Sequence, residues 1–407
     1  METTVLVGIV IIAGFLLGKG MDRFGLPRVT GYIIAGLLLN PSVFDLIPRH
    51  FPRQTQPVVD IALAFITFAI GGTLSLEKLH SVGVKLFAVT LAEAIAAFVC
   101  IFLGTLLLFP VLVRGSPDFA GWGIILPFAI LMAALGAPTD PSATLAVEHE
   151  YGARGQLSQA IMGIAAFDDA LGILFFSVGA AGAAMFFNPA AVSVGGAVLE
   201  TGYVIFGGMG LGIGFGLIFN WISRFLKFSN ESEGIYIVLV LGLLSLCFGI
   251  ASALALDELL STMLMGLMVV NFHPERQKIF HMLERYTEEL IFLLFFTLSA
   301  MHLDFAFSGA TYLLIFVFVV FRALGKYLGV YVGAGISGLD KPVKKYAAGG
   351  LIPQGGIVIG LALMVQNKPE FAEMAGLLMN TVMGATVIHE VIGPLCTKFV
   401  LKKSGDI

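Results

Sequence analysis

Apolar runs of about 17–28 residues, divided by Gly, Pro and charge, make up most of this chain. A bilayer core is about 30 Å thick and a helix rises about 1.5 Å per residue, so such runs read as membrane-crossing helices. Thirteen are predicted, over 3–18, 29–41, 57–76, 83–110, 121–148, 156–182, 191–221, 234–252, 255–271, 286–303, 309–335, 343–366 and 371–401. The second is short and needs neighbours or local thinning of the bilayer to fit. Composition agrees, with 58% of residues hydrophobic and 12% charged, against about a quarter charged in soluble domains. The fold class is therefore an all-α polytopic membrane protein. Lys19 and Arg23 follow the first apolar run and no basic stretch precedes it, so that run is expected to be a retained span. A net charge of −4 without a basic run excludes a nucleic-acid partner. Cys100, Cys247 and Cys396 fall in apolar segments and read as small core residues.

Basic residues set the orientation. Of the 23 lysines and arginines, seventeen fall on one side of these spans, including Lys19, Arg23, Arg154, Arg276, Lys341, Lys398 and Lys403. Only Arg49, Arg53, Arg114 and Lys368 fall on the other. The positive-inside rule then puts the N-terminus outside and the C-terminus in the cytoplasm of a cell (inner) membrane protein. Two cations remain, Arg322 and Lys326, four residues apart near the middle of the eleventh span.

Within the apolar runs stand acids that a bilayer disfavours. Asp140 and the pair Asp168–Asp169 lie in spans five and six, where a centred carboxylate costs roughly 2.5–3.5 kcal/mol. Asp140 sits between Pro138 and Pro141, which remove backbone donors and predict an interrupted helix. Interrupted backbone at membrane depth is tolerated only inside protein or along a wet cavity. Asp168 and Asp169 diverge by about 100° on a helix, so one is expected to meet an ion while the other finds another partner. Asp169, Asp140 and Thr139 supply hard oxygen ligands suited to a small hard cation, with Asp169 as the expected ion-binding acid. Crowded carboxylates in a dry site cannot all stay ionised, so the same oxygens hold protons or a cation, never both.

Span twelve carries a matching interruption, Leu351–Ile352–Pro353–Gln354–Gly355–Gly356, seven spans after the break around Asp140. An odd offset gives the two halves opposite topology, and paired interruptions point to a transporter's substrate site. The same offset matches Asp168–Asp169 with His389–Glu390, and Glu93 with Arg322 and Lys326. Lys326 is expected to pair with Asp168 when no ion is bound and can serve as a proton carrier, whereas Arg322 is a fixed countercharge. Gln354, Glu93, His389 and Glu390 are supporting polar residues. Glu148, His149 and Glu150, at the mouth of span five, read as a solvated interfacial cluster.

At these residues the chain resembles the monovalent cation:proton antiporter superfamily over nearly its whole length. Thr139–Asp140 at a broken helix, the acidic dipeptide on the next span and the lysine on span eleven carry the resemblance. It implies an NhaA-like antiporter fold with inverted repeats and two crossing discontinuous helices. It also implies a six-span core moving against a dimerisation domain, with Asp169 in the ion-binding position and Asp168 before it. Ala137–Pro141 looks like the electroneutral Asn-Asp branch; Phe167–Gly172 and Pro353–Gly356 look like the electrogenic Asp-Asp branch. Ile164 and Ala165 stand where the first branch has Glu-Ser, which favours the Asp-Asp type.

The expected organisation is scaffold and dimerisation helices over 1–82 and 183–303, an ion-transport core over 83–182 and 304–401, and a cytoplasmic tail at 402–407. The expected function is electrogenic Na+(Li+)/H+ antiport by a homodimer, with monovalent cations, protons and the lipid bilayer as partners and no cofactor. K+/H+ exchange on the same fold stays open. A Na+-coupled solute symporter would need more anion donors than Arg322, Lys326 and Gln354. An intramembrane aspartyl protease, the enzyme alternative, would need a Gly-x-Gly-Asp stretch that is not here.

Overall fold

The structure, a computed structural model, describes residues 3–43, 47–73, 76–112, 122–187, 194–225, 233–301, 309–366 and 368–407. Among the described residues there is no strand. In chain order the helices are α1 (Thr3–Arg23), α2 (Arg28–Leu39), α3 (Phe51–Thr73), α4 (Leu76–Leu112), α5 (Trp122–Ala134), α6 (Pro141–Tyr151), α7 (Gln156–Ala184) and α8 (Val194–Phe225). They continue as α9 (Glu233–Ala253), α10 (Glu258–Phe272), α11 (Arg276–Tyr286), α12 (Glu288–Met301), α13 (Gly309–Ile336), α14 (Lys341–Gly350), α15 (Gly356–Gln366) and α16 (Ala372–Ser404).

Eight of these (α1, α3, α4, α7, α8, α9, α13 and α16) are long and apolar enough by themselves to cross a membrane. The runs at 29–41, 255–271 and 286–303 hold the shorter helices α2, α10 and α12, and those at 121–148 and 343–366 are each broken in two. Helix α11 lies where the apolar-run reading leaves a connection. Its buried Ile279, Met282 and Leu283 recur at helical spacing, while Arg276, Gln277, His281 and Arg285 are exposed. It is an amphipathic helix, too short and polar to span.

The chain falls into two compact units, Met1–Gly83 with Gly202–His302, and Val84–Thr201 with Leu303–Ile407. In the first, α3 and α10 approach to backbone contact, because Gly71 lies against the Met263 carbonyl and Gly266 against that of Phe68. Small residues permit this closeness between helices that gain little from apolar burial in lipid. The Thr67 and Thr262 hydroxyls bridge the pair at 2.6 Å. Phe65, Phe68, Phe219, Tyr236, Met265 and Met282 form the core around it.

His273, in the connection between α10 and α11, is 4% exposed. Its Nδ1 accepts the Glu275 N–H at 3.1 Å, which leaves Nε2 to donate to the Ser223 hydroxyl at 2.7 Å. Burial, reinforced by Arg224 and opposed by Glu275, holds this imidazole below its ordinary value of 6.5. The folded state therefore binds the proton less readily than the unfolded chain. Stability is unaffected above the unfolded value and falls as pH drops from there toward the lowered one. Melting measured between pH 8 and pH 5 is expected to show this loss, and His273→Gln to flatten it; an unchanged slope counts against the assignment.

In the second unit, Gly325, Gly329 and Gly333 recur every four residues along α13. A Cβ at each would collide with α4, at Ala97, Glu93 and Val89 respectively. The two backbones therefore touch, and Lys326, beside this stripe and one turn before Gly329, is delivered to Glu93.

Candidate functional site

Two interruptions organise the second unit. The first leaves the helix after α5 and resumes at Pro141, whose absent N–H is harmless at the first helical position. Asp140 caps α6, accepting the Ser142 N–H at 2.8 Å and the Ser142 hydroxyl through the same Oδ1. The second interruption, between α14 and α15, spans residues 351–355. The breaks are joined directly. The Asp140 N–H donates to the Pro353 carbonyl at 3.0 Å, and Gln354 Nε2 donates to the Leu135 carbonyl at 2.9 Å.

Arg322 is fully buried and holds both breaks at once. Its Nε donates to the Gly136 carbonyl (2.9 Å), Nη2 to Pro138 (2.8 Å) and Nη1 to Ile352 (2.7 Å). An unwound helix exposes carbonyls that have lost their i+4 partners, and a planar guanidinium with five donors in a fixed fork satisfies them. Arg322 thus stands against carbonyl dipoles, with no carboxylate among its hydrogen-bond acceptors in the described residues.

One turn on, Lys326 is likewise fully buried. Its Nζ pairs with Glu93 Oε1 and donates to the Ala137 carbonyl and Thr139 Oγ1, both at 2.8 Å. Asp168 Oδ2 lies at 3.3 Å from the same ammonium. Thr139 accepts from Lys326 and donates its own hydroxyl to Asp168 Oδ2 at 2.5 Å. Glu93 Oε2 and Asp168 Oδ1 have no hydrogen-bond partner among the described residues. One ammonium thus faces two acids, each holding an oxygen in reserve. Gly172, four residues after Asp168, packs against Pro138 and brings α7 onto the break. Asp169 follows Asp168 on α7, and its side chain lies outside the described residues.

A second acidic pair lies on the other side of the break. Asp140 faces Glu390 of α16, carboxyl to carboxyl. His389 Nδ1 bonds Gln354 Oε1 at 3.1 Å. With the amide nitrogen committed to Leu135, that oxygen is an acceptor, so Nδ1 carries the imidazole proton. Glu148 is buried at 5% exposure, unlike the solvated cluster expected of it with His149 and Glu150, because α6 is buried from Pro141 through Glu148 and only its last residues are partly exposed. Among the described residues no group of three or more His, Cys, Asp or Glu side chains converges as a metal site.

The structure thus gathers Thr139, Asp168, Lys326 and Glu93 into one cluster, Asp140 and Glu390 into another, and strings Gln354, His389 and Arg322 along the breaks. The approaches also depend on Gly172, Gly325, Gly329 and Gly333, to which the apolar runs and motifs alone give no role. The four-residue spacing in α13 was the available signal.

The family model described as "Sodium/hydrogen exchanger, transmembrane" matches residues 7–403. Over 142 residues the chain is 32% identical to Na(+)/H(+) antiporter NhaS4 of Synechocystis sp.. That match covers 32% of this chain and 33% of the relative, so the chain spans about a third of the length of the curated relative it matches. Two solved structures of the sodium proton antiporter MjNhaP1 from Methanocaldococcus jannaschii superpose with TM-scores of 0.71 and 0.76. They cover 98% and 99% of this chain, and 98% and 97% of theirs, at 17% identity, a likeness of fold. With a family match over almost its full length, the chain belongs to the transmembrane sodium/hydrogen exchangers of the monovalent cation:proton antiporter superfamily.

Proposed function

We propose that this protein exchanges Na+, and Li+, for protons, by binding either a cation or protons on the acids gathered at the two helix breaks. The observation that carries this reading is Lys326 held between Glu93 and Asp168, beside Thr139, where the breaks meet. An ammonium that neutralises an acid in the empty site is displaced when a cation takes its place. Asp169 and Asp140 supply the cation's carboxylates in this reading, with Thr139 adding a hydroxyl oxygen. Two acids and a displaced lysine favour net charge movement per cycle. The unit carrying the breaks is the moving body and the other the scaffold and dimer face, in thirteen crossings with two broken helices crossing near the midplane. The basic-residue asymmetry supports an external N-terminus and a cytoplasmic C-terminus in the inner membrane.

Proteoliposomes on a solid-supported membrane test this, with Na+, Li+ and K+ steps and a pH dye inside. Na+ and Li+ steps are expected to drive proton movement and a transient current, with K+ the weaker ion. A dominant K+ response would reassign the ion, and no proton movement with any of the three would refute exchange.

A further inference from the structure

We propose that Glu390 is a ligand of the transported cation, completing with Asp140 a two-carboxylate half-site over Gly355. This rests on the exchange of cations for protons proposed for the same breaks and adds to it a residue from α16. Gly393, one turn beyond Glu390, lies against Pro353, where a Cβ would stand 3.0 Å from the Pro353 Cα. That close approach brings α16 onto the second break and Glu390 over its end.

Three observations converge there. Glu390 is 8% exposed, and its Oε1 has no hydrogen-bond donor among the described residues. Asp140 commits Oδ1 to Ser142 and turns Oδ2 over Gly355. A Cβ built on Gly355 would collide with that Oδ2 and come 3.0 Å from Glu390 Oε1. The space left by a missing side chain is thus faced by two carboxylate oxygens from different elements. Lys326 serves the other cluster, and Arg322 is spent on carbonyls, so neither cation of span eleven is bonded to this pair. Two carboxyl groups in contact away from water repel unless a cation or a proton stands between them. Their hard oxygens suit a small alkali ion, and a gap opened by the absence of one methyl group is small, which favours Na+ and Li+ over K+.

Calorimetric titration of the purified full chain with Na+ reads binding without requiring transport, because the heat of each addition follows the occupancy of the site. Vesicle exchange is measured in parallel. Glu390→Gln, which keeps the shape and removes the charge, is expected to raise the Na+ concentration for half-maximal binding at least tenfold. Gly355→Ala, which fills the gap from the opposite side, is expected to shift it the same way and to weaken K+ at least as much as Na+. Either variant, if it folds, decides the matter, since an unshifted midpoint overturns the assignment. Should the parent bind Na+ without exchanging it, the exchange function falls and the Glu390 site stands. Should the parent exchange Na+ with a midpoint indifferent to both changes, the exchange function stands and Glu390 is no ligand.

Discussion

Arg322→Ala is expected to be the most destabilising single change in the chain. The guanidinium satisfies carbonyls on both interruptions, and alanine would leave them without that donor. Three good hydrogen bonds from a charged donor, at about 1.5–3 kcal/mol each, put the loss on the order of 4 kcal/mol or more. Lysine should not rescue it, because a compact ammonium cannot span the two breaks as the planar fork does. Thermal melting in detergent is the measurement, and Arg322→Lys should fall much closer to Arg322→Ala than to the parent. If Arg322→Ala melts within a few degrees of the parent, the breaks are held by something else.

The second large effect concerns Lys326. Lys326→Met removes the one ammonium between two buried acids, and breaking a buried pair from one side costs about 3–5 kcal/mol. Exchange is expected to fall at least a hundredfold. Adding Glu93→Gln relieves part of the uncompensated charge, so the double variant should melt well above Lys326→Met. It should not regain exchange, because Asp168 still lacks its countercharge. The cycle therefore separates a structural partner, Glu93, from the one tied to loading, Asp168. Strict additivity of the two changes in melting would mean that Lys326 and Glu93 are not energetically coupled.

The helix breaks were legible because proline and glycine act on the backbone wherever they stand. Pro138, Pro141, Pro353 and Gly355 announce interrupted helices from letters alone. What Arg322 does was not legible: its partners are main-chain carbonyls, which have no letter, and a cation among apolar residues suggests an acid as partner. Repeat position relates Glu93 to Arg322 and Lys326, and the structure adds direct contact between Glu93 and Lys326, a consequence of the α13 glycines. Helix α11 is invisible to apolar length because it is short and polar, although Ile279, Met282 and Leu283 carry its period. The meeting of Asp140 with Glu390 joins residues 250 positions apart and depends on Gly393 and Gly355 together, a coincidence of packing that spacing along one helix does not encode.

If protons and cation compete for one set of oxygens, cation binding must expel protons, and proton release tests that most directly. Na+ is added to the purified protein in weakly buffered detergent solution while a pH dye and a calorimeter record together. Protons are expected to leave as Na+ binds, with the yield falling at high pH, where the site is already empty of protons, and a matching loss in Asp169→Asn. Saturable Na+ binding that releases no proton at any pH would contradict it.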